Sequence, residues 1–277
     1  IFTSDHFYGI PPKDGSDVTY ETVATLTALA LQTHRVRIGC MVFCPAYRSP
    51  GLIAKAAATV DNWSNGRFEL GLGAGAVRKE YQAYGYEFSP PKVRMDMLEE
   101  AAQIIPAMLH RQDYTFEGNY FRVLQAQCTP PRVQDKVRLW IGGKGIQRLI
   151  PIAAKYADVW NGNNITPEEY RERITALDWW CEKLSRDPSS IARSVNVDFH
   201  LGVKPSDVVY YNGLVESRGR RKDEVVIGTP AEVIDQIGQY VKSGAQQINI
   251  NVYGHRPPFD WEALQCFAEE IMPVFRR

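Results

Sequence analysis

The sequence lacks the features that mark membrane proteins and nucleic-acid-binding proteins. No apolar run approaches the roughly 18 residues that a membrane span requires. Thirty-two basic residues balance thirty-two acidic ones, and a neutral balance argues against nucleic acid as a main partner. We therefore expect neither a membrane nor nucleic acid among the partners of this protein.

Cysteine and histidine are sparse and scattered. The five cysteines include no Cys-x-x-Cys pair, which favours reduced thiols in a cytoplasmic protein over a disulfide framework. The five histidines lack metal-ligand spacing, so we expect no metal. No Gly/Ser-rich linker divides the 277 residues, a length that suits one α/β barrel of about 250 residues. We predict a single domain over residues 1–277.

Strand-like apolar runs alternate with segments of helical period, which is typical of βαβ units and a parallel sheet. The predicted strands are Ile1–His6, Val36–Cys44, Arg67–Gly73, Val137–Gly142, Asp158–Asn161, Ser194–Leu201 and Gln247–Asn251. Two stretches interrupt the alternation. Residues 114–123 predict an inserted β-hairpin, and the polar residues 203–225 predict a surface loop or lid.

Two helices have strong start signals. Thr166-Pro167-Glu168-Glu169 and Thr229-Pro230-Ala231-Glu232 each place Thr at the N-cap, Pro at the first helical position and Glu at the third. Such a capping box satisfies backbone N–H groups that the first turn leaves without partners. We therefore predict that helices begin at Pro167 and Pro230.

The carboxyl ends of the strands are the expected place for chemistry, because parallel α/β barrels build their active sites there. Asp5 and His6 end the first strand. Histidine titrates near neutral pH and a neighbouring carboxylate tunes it, so this pair is a candidate proton donor or acceptor. The competing interpretation is a structural hydrogen-bonded pair.

The loop Gly142-Gly143-Lys144-Gly145 follows the fourth strand and precedes a helix. Glycines at such a place let backbone N–H groups converge on an anion, and Lys144 adds a positive charge. We predict phosphate binding here, although a plain tight turn explains one or two of the glycines.

A nicotinamide site is the rival interpretation, because Gly71-x-Gly73-x-x-Ala76 formally matches the dinucleotide fingerprint. That fingerprint should be followed, about 20 residues later, by a strand that ends in an acidic residue. Gly85, Pro90 and Pro91 occupy this interval instead, so the context excludes a nicotinamide dehydrogenase.

These segments together resemble the luciferase-like monooxygenases over nearly the whole chain. The resemblance rests on Ser4–Phe7, Arg37–Gly39, Ser49-Pro50, Ser64–Gly75, Glu80-Tyr81, Tyr84-Gly85, Pro131–Val133, Trp140–Gly143, Ala157-Asp158 and Gly228–Pro230, and the block Ser64–Gly75 is its most specific part.

The resemblance implies a (β/α)₈ TIM barrel that binds coenzyme F420 or FMN. The Asp-His pair looks more like the branch that uses F420, so it implies hydride transfer to or from a small organic substrate by a cytoplasmic homodimer. Asp5 and His6 are then the catalytic residues that face the redox ring. The implied cofactor-binding residues are Met41, Val42, Cys44, Gly73, Ala74, Gly75, Gly142, Gly143, Lys144 and Gly145, with a bulge and a non-proline cis bond at the strand end near Met41.

The chain departs from the family pattern in two respects. Some sugar-phosphate dehydrogenases of this branch carry a catalytic Glu where Ala76 stands, which argues against that substrate class. The family's first βα unit should precede Ile1, so we expect about 35 further residues upstream. Two alternatives stay open: an FMN-dependent monooxygenase that uses reduced flavin and oxygen, and a non-catalytic flavin-binding protein.

Overall fold

A computed structural model describes residues 1–8, 19–110, 113–217, 221–251 and 261–276. Its contacts divide the chain into two compact units, and each is described by itself. The first unit comprises Ile1–Gly142 and Gln147–Val159, and the second comprises Gly143–Ile146 and Trp160–Arg277.

The first unit contains a parallel sheet and an antiparallel hairpin. Its strands are β1 (Phe2–Thr3), β2 (Ile38–Phe43), β3 (Phe68–Leu72), β4 (Tyr114–Glu117), β5 (Arg122–Ala126) and β6 (Leu139–Gly142). The order β1-β2-β3-β6 is parallel throughout, and β4 pairs with β5 in the hairpin. All four carboxyl ends of the sheet therefore lie at one edge.

Five helices accompany these strands: α1 (Thr22–Gln32), α2 (Pro50–Trp63), α3 (Arg78–Ala83), α4 (Pro91–His110) and α5 (Leu149–Tyr156). Ile53, Ala54, Ala57 and Ala58 of α2 are fully buried. Their spacing of three and four residues places them on one face of the helix. Small side chains on this face let α2 pack closely in the core.

The second unit contains β8 (Ala192–Leu201), β9 (Val225–Gly228) and β10 (Gln247–Asn251). It also contains all of β7 (Val159–Asn163) except the first residue. These strands lie in the order β7-β8-β10, and β9 also pairs with β8. The helices are α6 (Pro167–Lys183), α7 (Pro205–Ser217), α8 (Pro230–Lys242), α9 (Trp261–Cys266) and α10 (Met272–Phe275), with a π turn at Phe267–Ile271 and 3₁₀ turns at Pro188–Ser190 and Lys222–Glu224.

Both capping boxes are confirmed. The Glu169 backbone N–H donates to Thr166 Oγ1 (3.2 Å), and the Thr166 N–H donates to Glu169 Oε2 (3.0 Å). At the second helix the Thr229 N–H donates to Glu232 Oε2 (2.8 Å). The helices begin at the two predicted prolines.

All seven predicted strands are confirmed, with ends that shift by a few residues, and the hairpin predicted at residues 114–123 forms as β4 and β5. The loop predicted at 203–225 is wrong, because most of it forms α7 and the 3₁₀ turn at Lys222–Glu224. The apolar residues Val208–Tyr211 are consecutive and carry no helical spacing. A start signal is nevertheless present, since the Lys204 N–H donates to Asp207 Oδ2 (2.8 Å).

No helix in the described ranges has both the length and the apolarity to cross a membrane.

Candidate active site

His6 lies just beyond β1, at the edge where the carboxyl ends of the first unit's strands meet. Its Nδ1 is 2.8 Å from Oε2 of Glu80, a residue of α3. The His6 side chain is 34% exposed, whereas Glu80 is fully buried. The second oxygen of Glu80 accepts a hydrogen bond from the Phe7 backbone N–H (3.0 Å). A buried carboxylate therefore holds a histidine that solvent can reach.

Asp5 has different partners from His6. The Cys44 backbone N–H donates to Asp5 Oδ2 (3.2 Å), and Arg48 Nη2 donates to Oδ1 (2.9 Å). Arg48 also pairs with Glu21, just before α1. Asp5 is 5% exposed, and its bonds join the ends of β1 and β2. The carboxylate beside the His6 ring is thus Glu80, and we correct our expectation that Asp5 is the tuning neighbour.

The implied bulge in β2 is present. The β2–β3 register shifts between Cys40 and Phe43, and the Met41–Val42 peptide bond is cis. Val42 packs against glycines: a Cβ added at Gly73 would lie 2.3 Å from Val42 Cγ2, and one at Gly142 would lie 2.7 Å from Val42 Cγ1. These glycines leave room for the Val42 side chain of the bulge against the carboxyl ends of β3 and β6.

Gly75 adopts a left-handed conformation with φ +71°. An added Cβ there would lie 2.0 Å from the Tyr81 hydroxyl, which is 3.0 Å from Cys44 Sγ. Arg94 Nη1 donates to the Gly75 carbonyl (2.5 Å). Burial raises the pKa of the Cys44 thiol and of the Tyr81 hydroxyl, so both stay neutral at physiological pH. This cluster fixes the turn after β3.

Aromatic rings pack around the residue that follows His6. Phe7 stacks on Tyr84 with ring centroids 4.0 Å apart and an interplanar angle of 18°. The ring centroid of Tyr47 lies 4.9 Å from that of Phe7, and the ring centroid of Tyr86 lies 6.0 Å from it. These contacts hold the backbone at Phe7, whose N–H binds Glu80.

Gly143 and Lys144 belong to the second unit. The Gly143 N–H donates to the Asn161 carbonyl (3.0 Å), so this N–H already has a partner in β7. Lys144 Nζ donates to the Asn164 carbonyl (3.1 Å) and lies 3.9 Å from Glu224 Oε1. The Lys144 side chain is 53% exposed. Phosphate binding by Gly143, Lys144 and Gly145 stays a prediction.

Sequence reasoning did not select Glu80 as a site residue. Glu80 appears there only among the family motifs, because 74 positions separate it from His6 and no local pattern links the two. The available signal was its place at the third position of a short helix just after a glycine-rich strand end.

Comparisons with known proteins find a matching family and similar relatives. A family model described as luciferase-like monooxygenase matches residues 2–212. The F420-dependent glucose-6-phosphate dehydrogenase of Amycolatopsis mediterranei (strain U-32) is 32% identical over 310 residues, which cover 100% of this chain and 90% of that protein.

Two solved structures have similar folds. An F420-dependent secondary alcohol dehydrogenase, in complex with an F420–acetone adduct, gives a TM-score of 0.85 at 21% identity and covers 100% of this chain and 90% of that one. The monooxygenase RslO1 from Streptomyces bottropensis gives a TM-score of 0.82 at 20% identity, with coverages of 99% and 88%. These likenesses confirm the predicted α/β fold class of the TIM-barrel type.

Proposed function

The chain belongs to the luciferase-like monooxygenase family, and on that premise we propose that it is an oxidoreductase that uses coenzyme F420 to transfer hydride to or from a small organic substrate. The observation that carries this proposal is the reachable His6, held by the buried Glu80 at the carboxyl end of β1. Barrel enzymes place their catalytic groups at that end of the strands.

His6 handles the proton in this proposal. When an alcohol is oxidised, its C–H hydrogen leaves as hydride and its O–H proton goes to the imidazole, so that a carbonyl product and a protonated His6 remain. F420, when bound, supplies the hydride acceptor, and the protein supplies orientation and proton transfer. In the reverse direction His6 returns the proton to the carbonyl oxygen.

The residues at the edge of the first unit fit a flat ring system. Met41, Val42, Ala74, Gly75 and Gly142 are each partly exposed, and all five lie at the carboxyl ends of β2, β3 and β6. Small side chains and bare backbone form a surface on which an aromatic ring can lie. Cys44 is buried beneath this surface, in contact with Tyr81.

The cofactor's phosphate is assigned to Gly143, Lys144 and Gly145. Support comes from the glycine spacing in the sequence and from the half-exposed ammonium group of Lys144. Because the Gly143 N–H binds Asn161, the donors left for an anion on this loop are those after Gly143.

The substrate class is tested with alcohols and glucose 6-phosphate in parallel. The relative in Amycolatopsis mediterranei is named for glucose 6-phosphate. In this chain Ala76 stands after the Gly-Ala-Gly turn, where an alanine side chain offers no acid–base group. We therefore expect alcohols without a phosphate group to be the better substrates.

Titration of the purified protein with F420 and with FMN tests the choice of cofactor. We expect binding of F420, and loss of the absorbance of oxidised F420 when an accepted alcohol is added without oxygen. Binding of FMN alone, with oxygen consumed in turnover, would instead support the monooxygenase alternative, which the similarity to RslO1 favours. Binding without turnover would support a flavin-binding protein.

A cytoplasmic homodimer is part of the same proposal. Five unpaired cysteines support a reducing compartment. Light scattering coupled to size-exclusion chromatography tests the dimer, and a mass equal to one chain of 31.4 kDa would contradict it.

A further inference from the structure

The hydrogen-bond partners of Glu80 bear on which nitrogen of the His6 ring carries the proton. Glu80 is fully buried, and two donors reach it: the Phe7 backbone N–H at Oε1 (3.0 Å) and the His6 ring at Oε2 (2.8 Å). Within the described ranges, no lysine or arginine forms an ion pair with it. The imidazole is thus the one basic side chain that these ranges pair with this carboxylate.

We propose that Glu80 is a positioning residue that keeps the proton of neutral His6 on Nδ1, so that Nε2 is the atom that takes the substrate's proton. This inference rests on the proposed function, in which His6 handles that proton. A hydrogen bond to one ring nitrogen selects which tautomer of histidine is present, and the other nitrogen is then the free base.

Counting donors and acceptors supports this assignment. The Phe7 N–H can only donate, so it needs an acceptor at Oε1. A carboxylate offers a second acceptor at Oε2, and Nδ1–H of His6 fills it. Burial strengthens this bond because the local dielectric constant is lower than that of water.

The surroundings leave Glu80 as the charged group that acts directly on His6. The other titratable side chains around the pair are Asp5, Tyr8, Glu21, Cys44, Tyr47, Arg48, Tyr81, Tyr84 and Tyr86. Burial raises the pKa of the Tyr8 hydroxyl, so this group is neutral at physiological pH. Asp5 and Glu21 are both bound to Arg48. Burial raises the pKa of Tyr47, as it raises those of Tyr81 and Cys44, so these groups carry no charge at neutral pH.

The substitution Glu80→Gln tests the proposal because it keeps the shape and removes one acceptor. The amide oxygen must stay with the Phe7 N–H, so the amide NH₂ faces His6 and forces Nδ1 to accept. The proton then moves to Nε2, the wrong nitrogen for a base. We expect kcat to fall by about 10²–10⁴-fold with little change in KM or in F420 affinity.

The pH profile of kcat/KM gives a second readout. Protonated His6 loses the neighbouring negative charge in Glu80→Gln, so the acid limb of the profile should move to lower pH. Glu100→Gln is the matched control. Glu100 is also a buried carboxylate of the first unit, and it accepts hydrogen bonds from the Asn119, Tyr120 and Phe121 backbone N–H groups. An unchanged acid limb is expected in this control.

Nitrogen-15 NMR of histidine-labelled protein tests the tautomer without cofactor or substrate. The five histidines give few signals, and the His6 signal is the one that His6→Ala removes. We expect Nδ1 to carry the proton in the wild type and Nε2 to carry it in Glu80→Gln. A wild-type His6 protonated on Nε2, or the same tautomer in both proteins, would overturn the proposal. Since this measurement needs no turnover, it stays decisive if the protein proves not to use F420.

Discussion

The two ends of the first unit's sheet each hold a buried carboxylate, and the two differ in their partners. At the amino end, Glu69 of β3 is 1% exposed. It is bound by Arg37 and Arg138, and Trp140 Nε1 donates to its Oε2 (2.7 Å). Arginine side chains in general carry their charge throughout the physiological pH range. The amino end therefore holds a fixed structural network.

At the carboxyl end, Glu80 binds one backbone N–H and one histidine. The histidine is partly exposed, so solvent can reach it. We propose that the same residue type serves stability where arginines bind it, and chemistry where its partner is a histidine that solvent can reach. Substitutions at the two ends should separate these roles.

The substitution His6→Ala should have the largest effect, a loss of turnover. A catalytic proton acceptor contributes about 10²–10⁴-fold to rate, or roughly 3–5 kcal/mol. Turnover should fall by that factor, while F420 affinity should change little because we propose that the glycine turns and the loop at Lys144 hold the cofactor. Turnover and affinity are measured on the same preparation. Unchanged turnover per bound cofactor would make His6 structural, and His200 of β8 would be the next candidate for the acid–base role.

The substitution Gly75→Ala should have the second-largest effect, a loss of stability at the turn that follows β3. The new Cβ meets the buried Tyr81 hydroxyl, which is held by Cys44, so the turn must shift. We expect a loss of about 1–3 kcal/mol in the free energy of unfolding, measured by urea denaturation. Gly85→Ala is the matched control, because Gly85 has φ +75° and its added Cβ meets no atom within 4 Å. Equal losses in both variants would show that the contact with Tyr81 costs nothing.

At the amino end, Glu69→Gln should lower stability without changing the chemistry. An amide offers one acceptor to donors that now use two oxygens, so some N–H groups lose their partner. Arg37 and Arg138 are 43% and 42% exposed, and water can solvate them in part. We expect a loss of roughly 1–2 kcal/mol and an unchanged acid limb of the kcat/KM profile. A shift of that limb would show that Glu69 also influences the chemistry, which contradicts the distinction between the two ends of the sheet.

The smallest effect should come from Lys144→Ala. The ammonium group is half-exposed and solvent screens it, so its removal should weaken F420 binding by about 2–10-fold with kcat unchanged. Lys155→Ala is a suitable control, because this lysine of α5 is 51% exposed and pairs with Glu99. Equal affinities of Lys144→Ala and the wild type would remove Lys144 from the cofactor site.

Local patterns predicted most of the fold. The capping boxes at Thr166 and Thr229 involve residues three positions apart, and they form as expected. The helix α7 was missed because its consecutive apolar residues have no period. The contact between His6 and Glu80 was missed because it depends on how α3 returns to β1, which no local pattern encodes.

The candidate site was predicted only in part, because its contacts join residues that lie far apart in the sequence. The sequence places His6 at a strand end, and it does not specify which carboxylate faces the ring. Asp5 is the neighbour in sequence, but its oxygens accept hydrogen bonds from the Cys44 N–H and from Arg48 instead.

Transfer of deuterium tests the central claim most directly. Secondary alcohols and glucose 6-phosphate, each deuterated at the carbon that becomes the carbonyl, are incubated with the wild-type protein and oxidised F420 without oxygen. Mass spectrometry of the reduced F420 should then find one deuterium per molecule with at least one alcohol, and His6→Ala should slow its formation by about 10²–10⁴-fold. Reduced F420 without deuterium, or turnover that requires FMN and oxygen, would contradict the account.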